Sequence, residues 1–119
     1  MTATSKPGKS RKFFAEMALH RAAKSVAGHL NEKLKKELGR RALPLRKGDT
    51  VKIMRGAFRG KEGKISKIER SSGMVYIEKI ARKKSNGAEV EIAFDASTLL
   101  LIDIDRTDRK RLKRKSEKK

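Results

Sequence analysis

The chain has 119 residues, no Cys, and 33 Lys and Arg against 14 Asp and Glu, for a formal net charge of +19. That length allows one modest domain with extensions, and the missing Cys excludes a disulfide framework or a thiolate zinc site. So large a charge opposes compaction unless nucleic acid or an anionic surface neutralises it, yet no apolar run approaches a membrane span, so a soluble cytoplasmic protein is expected.

Residues 1–12 are rich in Lys, Arg, Ser and Gly, lack the apolar core of a signal peptide, and are expected to be disordered in isolation. From Ala15 a helix is predicted, with Leu19, Ala23, Val26 and Leu30 spaced by three or four. Asn31 then reads as the N-cap of a second helix, in which Leu34 and Leu38 share a face and Gly39 supplies the stop. Neither helix is long enough to be stable alone in water, so both must dock. Arg40-Arg41-Ala42-Leu43-Pro44-Leu45-Arg46 follows as an extended connector, because Pro44 disfavours helix at Leu43.

Strand signals dominate from Asp49 to Ile104. Val51 and Ile53 alternate with Thr50 and Lys52, the period of a half-buried strand. A loop holding Gly56, Gly60 and Gly63 leads to a second strand at about Gly63 to Glu69, where Ile65 and Ile68 break strict alternation and imply a bulge or sharp bend. Ser71-Ser72-Gly73 is a turn and Met74 to Ile80 a third strand. Arg82-Lys83-Lys84-Ser85-Asn86-Gly87 forms a basic hairpin tip on its Asn-Gly turn signal. Glu89 to Phe94 puts Val90, Ile92 and Phe94 on one face, and Thr98 to Ile104 is the last strand. The chain is therefore expected to be mainly β: a small barrel of about five strands, with short N-terminal helices and basic terminal arms. A core of this size yields roughly 3–5 kcal/mol. The tail from Asp105 could start a helix at Thr107. With Leu112 as its only apolar residue it has no face to bury, and it is expected to order only on a polyanion.

The charge is uneven. Residues 1–46 hold 12 cations and 3 anions, residues 47–104 hold 12 and 8, and residues 105–119 hold 9 and 3. This divides the chain into a basic N-terminal extension, a globular barrel and a basic C-terminal tail. Within the barrel, residues 47–70 carry 8 cations and 3 anions, and residues 71–104 carry 4 and 5. The barrel is therefore expected to have one binding side, coinciding with the glycine loop, and one bland side.

Glycines give that loop access to positive φ and to close approach by another backbone, while Arg55, Arg59, Lys61 and Lys64 edge it with charge. Such a loop on a small sheet grips a polyanion. The strand, loop and strand at residues 47–69 resemble a KOW motif, found on SH3-like barrels. Leu43-Pro44-Leu45-Arg46-Lys47-Gly48-Asp49, then Met54-Arg55-Gly56 and Gly60-Lys61-Glu62-Gly63-Lys64, resemble the universal KOW-containing family of the large ribosomal subunit. His29-Leu30-Asn31-Glu32-Lys33-Leu34 and Arg11-Lys12-Phe13 resemble its archaeal and eukaryotic form, so the likeness runs from about Arg11 to about Lys113. One departure lies at Asp95-Ala96-Ser97, where the family commonly has His-Pro-Ser. The resemblance implies an SH3-like barrel and a structural protein that binds the 5′ region of large-subunit rRNA. It also implies a role early in subunit assembly, a place near the mouth of the nascent-chain tunnel, and ribosomal-protein neighbours in the cytoplasm.

RNA suits the residues independently. Proteins recognise A-form RNA by shape, phosphates, 2′-hydroxyls and unstacked bases, and arginine can bond phosphate in a bidentate manner. Arg11, Lys12, Arg21 and Lys24 of the N-terminal extension and Arg40, Arg41 and Arg46 of the connector are candidate contacts of an arm that orders on binding, with Lys47 beside them at the start of the barrel. Arg55, Gly56, Phe58, Arg59, Gly60, Lys61, Gly63 and Lys64 form the loop contact, and Arg82, Lys83 and Lys84 a third.

Several residues carry two readings. Phe58 either stacks on a base or closes one end of the barrel, and Arg82, Lys83 and Lys84 either touch RNA or make a soluble tip. His20 and His29 suit helix packing or a phosphate bond; with no further His or Cys, no metal site is called for. Glu62 is expected to pair with neighbouring cations, and Glu89 and Glu91 to face solvent. No nucleophile, acid–base pair or cofactor motif is present, so neither an enzyme, a cofactor nor a small-molecule substrate is expected. Two other classes stand beside the ribosomal one: a transcription elongation module, and a DNA-compacting nucleoid protein.

Overall fold

The computed structural model describes residues 4–112. Helix α1 (Pro7–Ala15) begins with Pro at its first position, where the fixed φ suits a helix and the missing N–H costs nothing. That start corrects the expectation of disorder at residues 7–12. None of the nine residues is buried, Phe14 stays 59% exposed, and Lys12 pairs with Glu16 at 3.8 Å. The helix lies on the outside of the molecule.

Helix α2 (Leu19–Ser25) is shorter than the spacing predicts. It stops where Ser25 Oγ donates to the Ala22 carbonyl at 2.7 Å, and the chain straightens into β1 (Ala27–Leu30). Leu30 is thus a fully buried strand residue rather than the end of a helical face. A helix this short is marginal, and β1 instead gains a backbone partner on each side. It pairs antiparallel with β2 (Ala42–Pro44) and parallel with β7 (Leu99–Asp103). Gly28 permits the close packing, since a Cβ there would lie 2.9 Å from Leu45 Cδ2. Helix α3 (Glu32–Leu38) follows its predicted signals: Asn31 Oδ1 accepts from the Glu32 N–H at 2.7 Å, and Gly39 ends the helix in the left-handed region.

The remaining strands are β3 (Thr50–Ile53), β4 (Glu62–Glu69), β5 (Met74–Lys83) and β6 (Glu89–Asp95). The seven strands form one sheet in the order β2-β1-β7-β3-β4-β5-β6. No pairing among the described residues joins β2 to β6, so the sheet is open, and the two extra strands come from the segment read as an extension. The expected irregularity in β4 is present as a register shift between Ile65 and Lys67. A second shift, between Tyr76 and Ala81 with Lys79 at φ 63, bends the β5–β6 hairpin.

Alternate residues of the strands meet in one core: Leu30, Leu43, Val51, Ile53, Ile65, Val75, Ile77, Leu99 and Leu101 are 2% exposed or less. Before β7, a short 3-10 turn (Ala96–Thr98) is capped by Asp95, whose Oδ1 accepts from the Ser97 N–H at 3.2 Å. The aspartate makes the turn without a proline.

The tail is not free where it is described. Residues 105–112 return along the molecule to α4 (Arg109–Leu112), where Arg111 is buried and Leu112 packs against the core. This corrects the expectation of a tail without a face to bury; a buried carboxylate, Asp49, holds it. The rest of the basic tail, residues 113–119, lies outside the described residues.

Candidate nucleic-acid interface

The loop between β3 and β4 is closed at its base by backbone bonds. Ile53 accepts from the Gly60 N–H at 2.8 Å and donates to the Lys61 carbonyl at 2.9 Å, and Arg59 N–H reaches the Gly56 carbonyl at 3.2 Å. Gly56 and Gly60 sit at φ 96 and 87, with no atom within 4 Å of where a Cβ would stand. They shape the turn and leave its surface open. Gly63 differs: it is in extended backbone, and a Cβ there would lie 2.6 Å from Ile77 Cγ2 and 3.2 Å from the Glu78 carbonyl oxygen. Its role is close approach between strands.

Arg55, Arg59, Lys61 and Lys64 are all exposed around this frame. Glu62, the acid among them, is engaged by Lys52 at 3.6 Å, as expected. Phe58 is half-buried against the core, edge-on to Phe94 at 6.0 Å, with Lys61 Nζ over its ring at 5.1 Å. The ring therefore closes one end of the sheet, and a cation covers its face.

The other predicted contacts are not gathered at this loop. Arg82 and Lys83 lie at the end of β5, and Lys84 opens the exposed hairpin turn closed by the Lys84 N–H to Ala88 carbonyl bond at 2.8 Å. Arg11 and Lys12 lie on exposed α1, and Arg41 and Lys47 are exposed on the segments flanking β2. Arg21 and Lys24 lie on α2, where Lys24 shares a groove with Arg40 and Arg46. That groove is at the far end of β4 from the loop, roughly 25 Å of strand away. Two of these arginines are already engaged: Arg46 pairs with Asp108 at 2.5 Å, and Arg40 Nη1 donates to the Arg111 carbonyl at 3.1 Å.

Sequence reasoning missed two exposed cations of that groove, Arg70 and Lys110, and the group that builds its wall. Asp49 is fully buried and accepts from the Arg46 N–H at 2.9 Å, the Asp105 N–H at 3.1 Å, and both terminal nitrogens of Arg111. Arg111 Nε is buried and has no acceptor among the described residues. Asp105 is held below its ordinary pKa of 3.8, first by the Thr107 N–H and then by the Thr107 hydroxyl, with Arg111 and Arg46 adding a smaller pull. No group of three or more His, Asp or Glu among the described residues is placed to hold a metal ion, and no helix among them is long and apolar enough to cross a membrane.

The chain matches, over residues 4–118, the ribosomal protein family that comprises the eukaryotic L26 proteins and their archaeal L24 counterparts. It is 37% identical over 109 residues to the large ribosomal subunit protein uL24 of Sulfolobus acidocaldarius, a match covering 92% of this chain and 81% of that protein. It is 36% identical over 109 residues to the protein of the same name from Korarchaeum cryptofilum, covering 90% and 83%.

Proposed function

The chain belongs to the archaeal and eukaryotic family of the large ribosomal subunit protein uL24, and from that membership we propose that it binds large-subunit rRNA through the β3–β4 loop and its basic flanks. A member of this family is a structural constituent of the large subunit, ribosome-bound in the cytoplasm, and not an enzyme. The family likeness further supports contact with the 5′ region of the rRNA, a role in starting subunit assembly, and a position near the polypeptide exit tunnel beside other ribosomal proteins. In this reading β3 to β7 are an SH3-like unit carrying a KOW motif, residues 1–46 are a basic extension, and residues 105–119 a basic tail.

The observation that carries the proposal is the open loop surface. Arg55, Arg59, Lys61 and Lys64 surround two glycines whose missing side chains leave room for a phosphate backbone, and Glu62 is neutralised by Lys52. Backbone bonds close the loop at its base, so ordering its main chain costs little on binding.

The test compares wild type with the combined Arg59→Gln, Lys61→Gln and Lys64→Gln variant for binding to a 5′ fragment of large-subunit rRNA across a salt series. Each phosphate contact removed takes about 0.7–0.9 from the slope of log affinity against log salt, so a fall of roughly 2 to 3 is expected. An unchanged slope would exclude this loop as the contact. Equal affinity for duplex DNA of the same length would overturn the rRNA reading.

A further inference from the structure

At the end of β4 remote from the loop, α2, the two connections flanking β2, the Arg70 turn and α4 converge on a groove of about 680 Å3. Its floor is apolar, from Val26, Pro44, Leu45 and Ile68. Its rim is cationic. Lys24, Arg70 and Lys110 are exposed, and none has a carboxylate partner among the described residues. Asp108, the acid that lines the groove, holds Arg46 at 2.5 Å, and Asp49 holds Arg111 from beneath.

The wall is fixed in place. Asp108 Oδ1 accepts from the Lys110 N–H at 3.0 Å and the Arg111 N–H at 3.4 Å, and the buried Arg111 then ties α4 to the sheet. Lys110 is therefore presented on an anchored backbone rather than on a loose tail.

An aliphatic floor beneath unneutralised cations fits a ligand with one apolar face and negative charge at its edge. The volume lies within the ~300–1,000 Å3 of pockets that hold one small molecule. Duplex RNA presents phosphates, 2′-hydroxyls and base edges but keeps its base faces stacked, whereas an unstacked nucleotide offers a base face, sugar and phosphate together.

We propose that this groove is a further RNA contact, seating one unstacked rRNA nucleotide on the partly exposed Pro44 and Ile68, backed by the buried Val26 and Leu45, with its flanking phosphates on Lys24, Arg70 and Lys110. The proposal rests on rRNA binding itself, and it adds a site that acts separately from the β3–β4 loop.

The Arg70→Gln and Lys110→Gln double variant tests it, because neither side chain belongs to an ion pair among the described residues and the Asp49–Arg111 anchor is untouched. Thermal melting checks that the fold is retained. Binding to the 5′ rRNA fragment and nucleotide-resolution footprinting are then compared with wild type and with the loop variant. The double variant should lower affinity about tenfold or more and reduce the salt slope by roughly 1.4, at ~0.7 per single-strand phosphate. One short unpaired stretch should lose protection while protection from the loop persists, and the loop variant should give the reverse pattern. Unchanged affinity and footprint in the double variant, with wild type bound, would overturn the groove site and leave the rRNA reading standing. In assembled large subunits, an intact RNA footprint in the double variant with loss of a crosslink from the groove to an acidic segment of a neighbouring protein would overturn it in favour of a protein contact. A wild-type chain that binds no rRNA would remove both.

Discussion

Asp49 and Arg111, 62 residues apart, meet in a buried two-pronged ion pair: Nη1 reaches Oδ1 at 3.1 Å, Nη2 bonds Oδ2, and the side chains are 0% and 2% exposed. The same carboxylate accepts the N–H groups of Arg46 and Asp105. One aspartate thus joins the entry to β3, the exit from β7 and helix α4. The groove above it exists because these three segments are held together.

Removing the guanidinium alone would leave a charge in the core. Breaking a buried pair from one side costs about 3–5 kcal/mol, comparable to the roughly 3–5 kcal/mol a core of this size supplies. Arg111→Ala should therefore be largely unfolded without RNA, as read by urea denaturation and circular dichroism. The double variant Asp49→Asn with Arg111→Met should recover much of the loss, since no unpaired charge remains. A single variant that unfolds at the wild-type midpoint would show that the pair carries no such load.

Asp105 gives the tail segment a pH dependence. Its folded pKa is depressed by the Thr107 N–H and hydroxyl, and then by Arg111 and Arg46. A depressed carboxyl contributes stability that is complete above the unfolded value near 3.8 and is lost as pH falls through the folded value. Asp105→Asn keeps an acceptor for the Thr107 N–H but does not titrate. Between pH 5 and 2 its stability should fall less steeply than that of wild type, as followed by urea midpoints at each pH. Parallel curves would remove Asp105 from the acid response.

How far the fold can be read from the chain follows from how local each signal is. The caps Asn31 and Gly39 act on their own helix, and the alternation of Val51 with Ile53, and of Ile92 with Phe94, is written within single strands. The segment Ala27–Leu30 fits helical spacing equally well; its strand character depends on partners at Ala42–Pro44 and Leu100–Leu101. The open cationic loop was legible because glycines and cations are adjacent in sequence. The groove was not, since Arg70 and Lys110 become neighbours only through a contact between Asp49 and a tail that composition alone marks as solvated.

The three loop glycines should separate by mechanism. Gly56→Ala and Gly60→Ala place a Cβ in open space at positive φ, costing about 1–2 kcal/mol of backbone strain each. Gly63→Ala incurs no such strain but drives a methyl to 2.6 Å from Ile77 Cγ2, beside the Glu78 carbonyl, so β5 must shift, at about 1–3 kcal/mol. Thermal melts should show all three destabilised. Hydrogen exchange should then report loosening of the loop for the first two and of the β4–β5 pairing for the third. Exchange confined to the loop in Gly63→Ala would contradict the close-approach role.

Phe58 can be assigned by a substitution that keeps its bulk but removes its aromatic face. Its T-shaped contact with Phe94 ties the ring to the core, and the Lys61 ammonium lies over the face a base would need. Phe58→Leu should retain most of the packing, at a cost of about 1 kcal/mol for the lost aromatic pair. It should leave affinity for the rRNA fragment within about twofold. A ring stacked on a base would be worth roughly 1–3 kcal/mol, so its loss would weaken binding by about fivefold to more than a hundredfold. Phe58→Ala should lower the melting temperature further, because the half-buried ring leaves a gap beneath the loop. If Phe58→Leu melts like wild type yet binds rRNA tenfold more weakly, the ring belongs to the RNA and the contact with Phe94 is incidental.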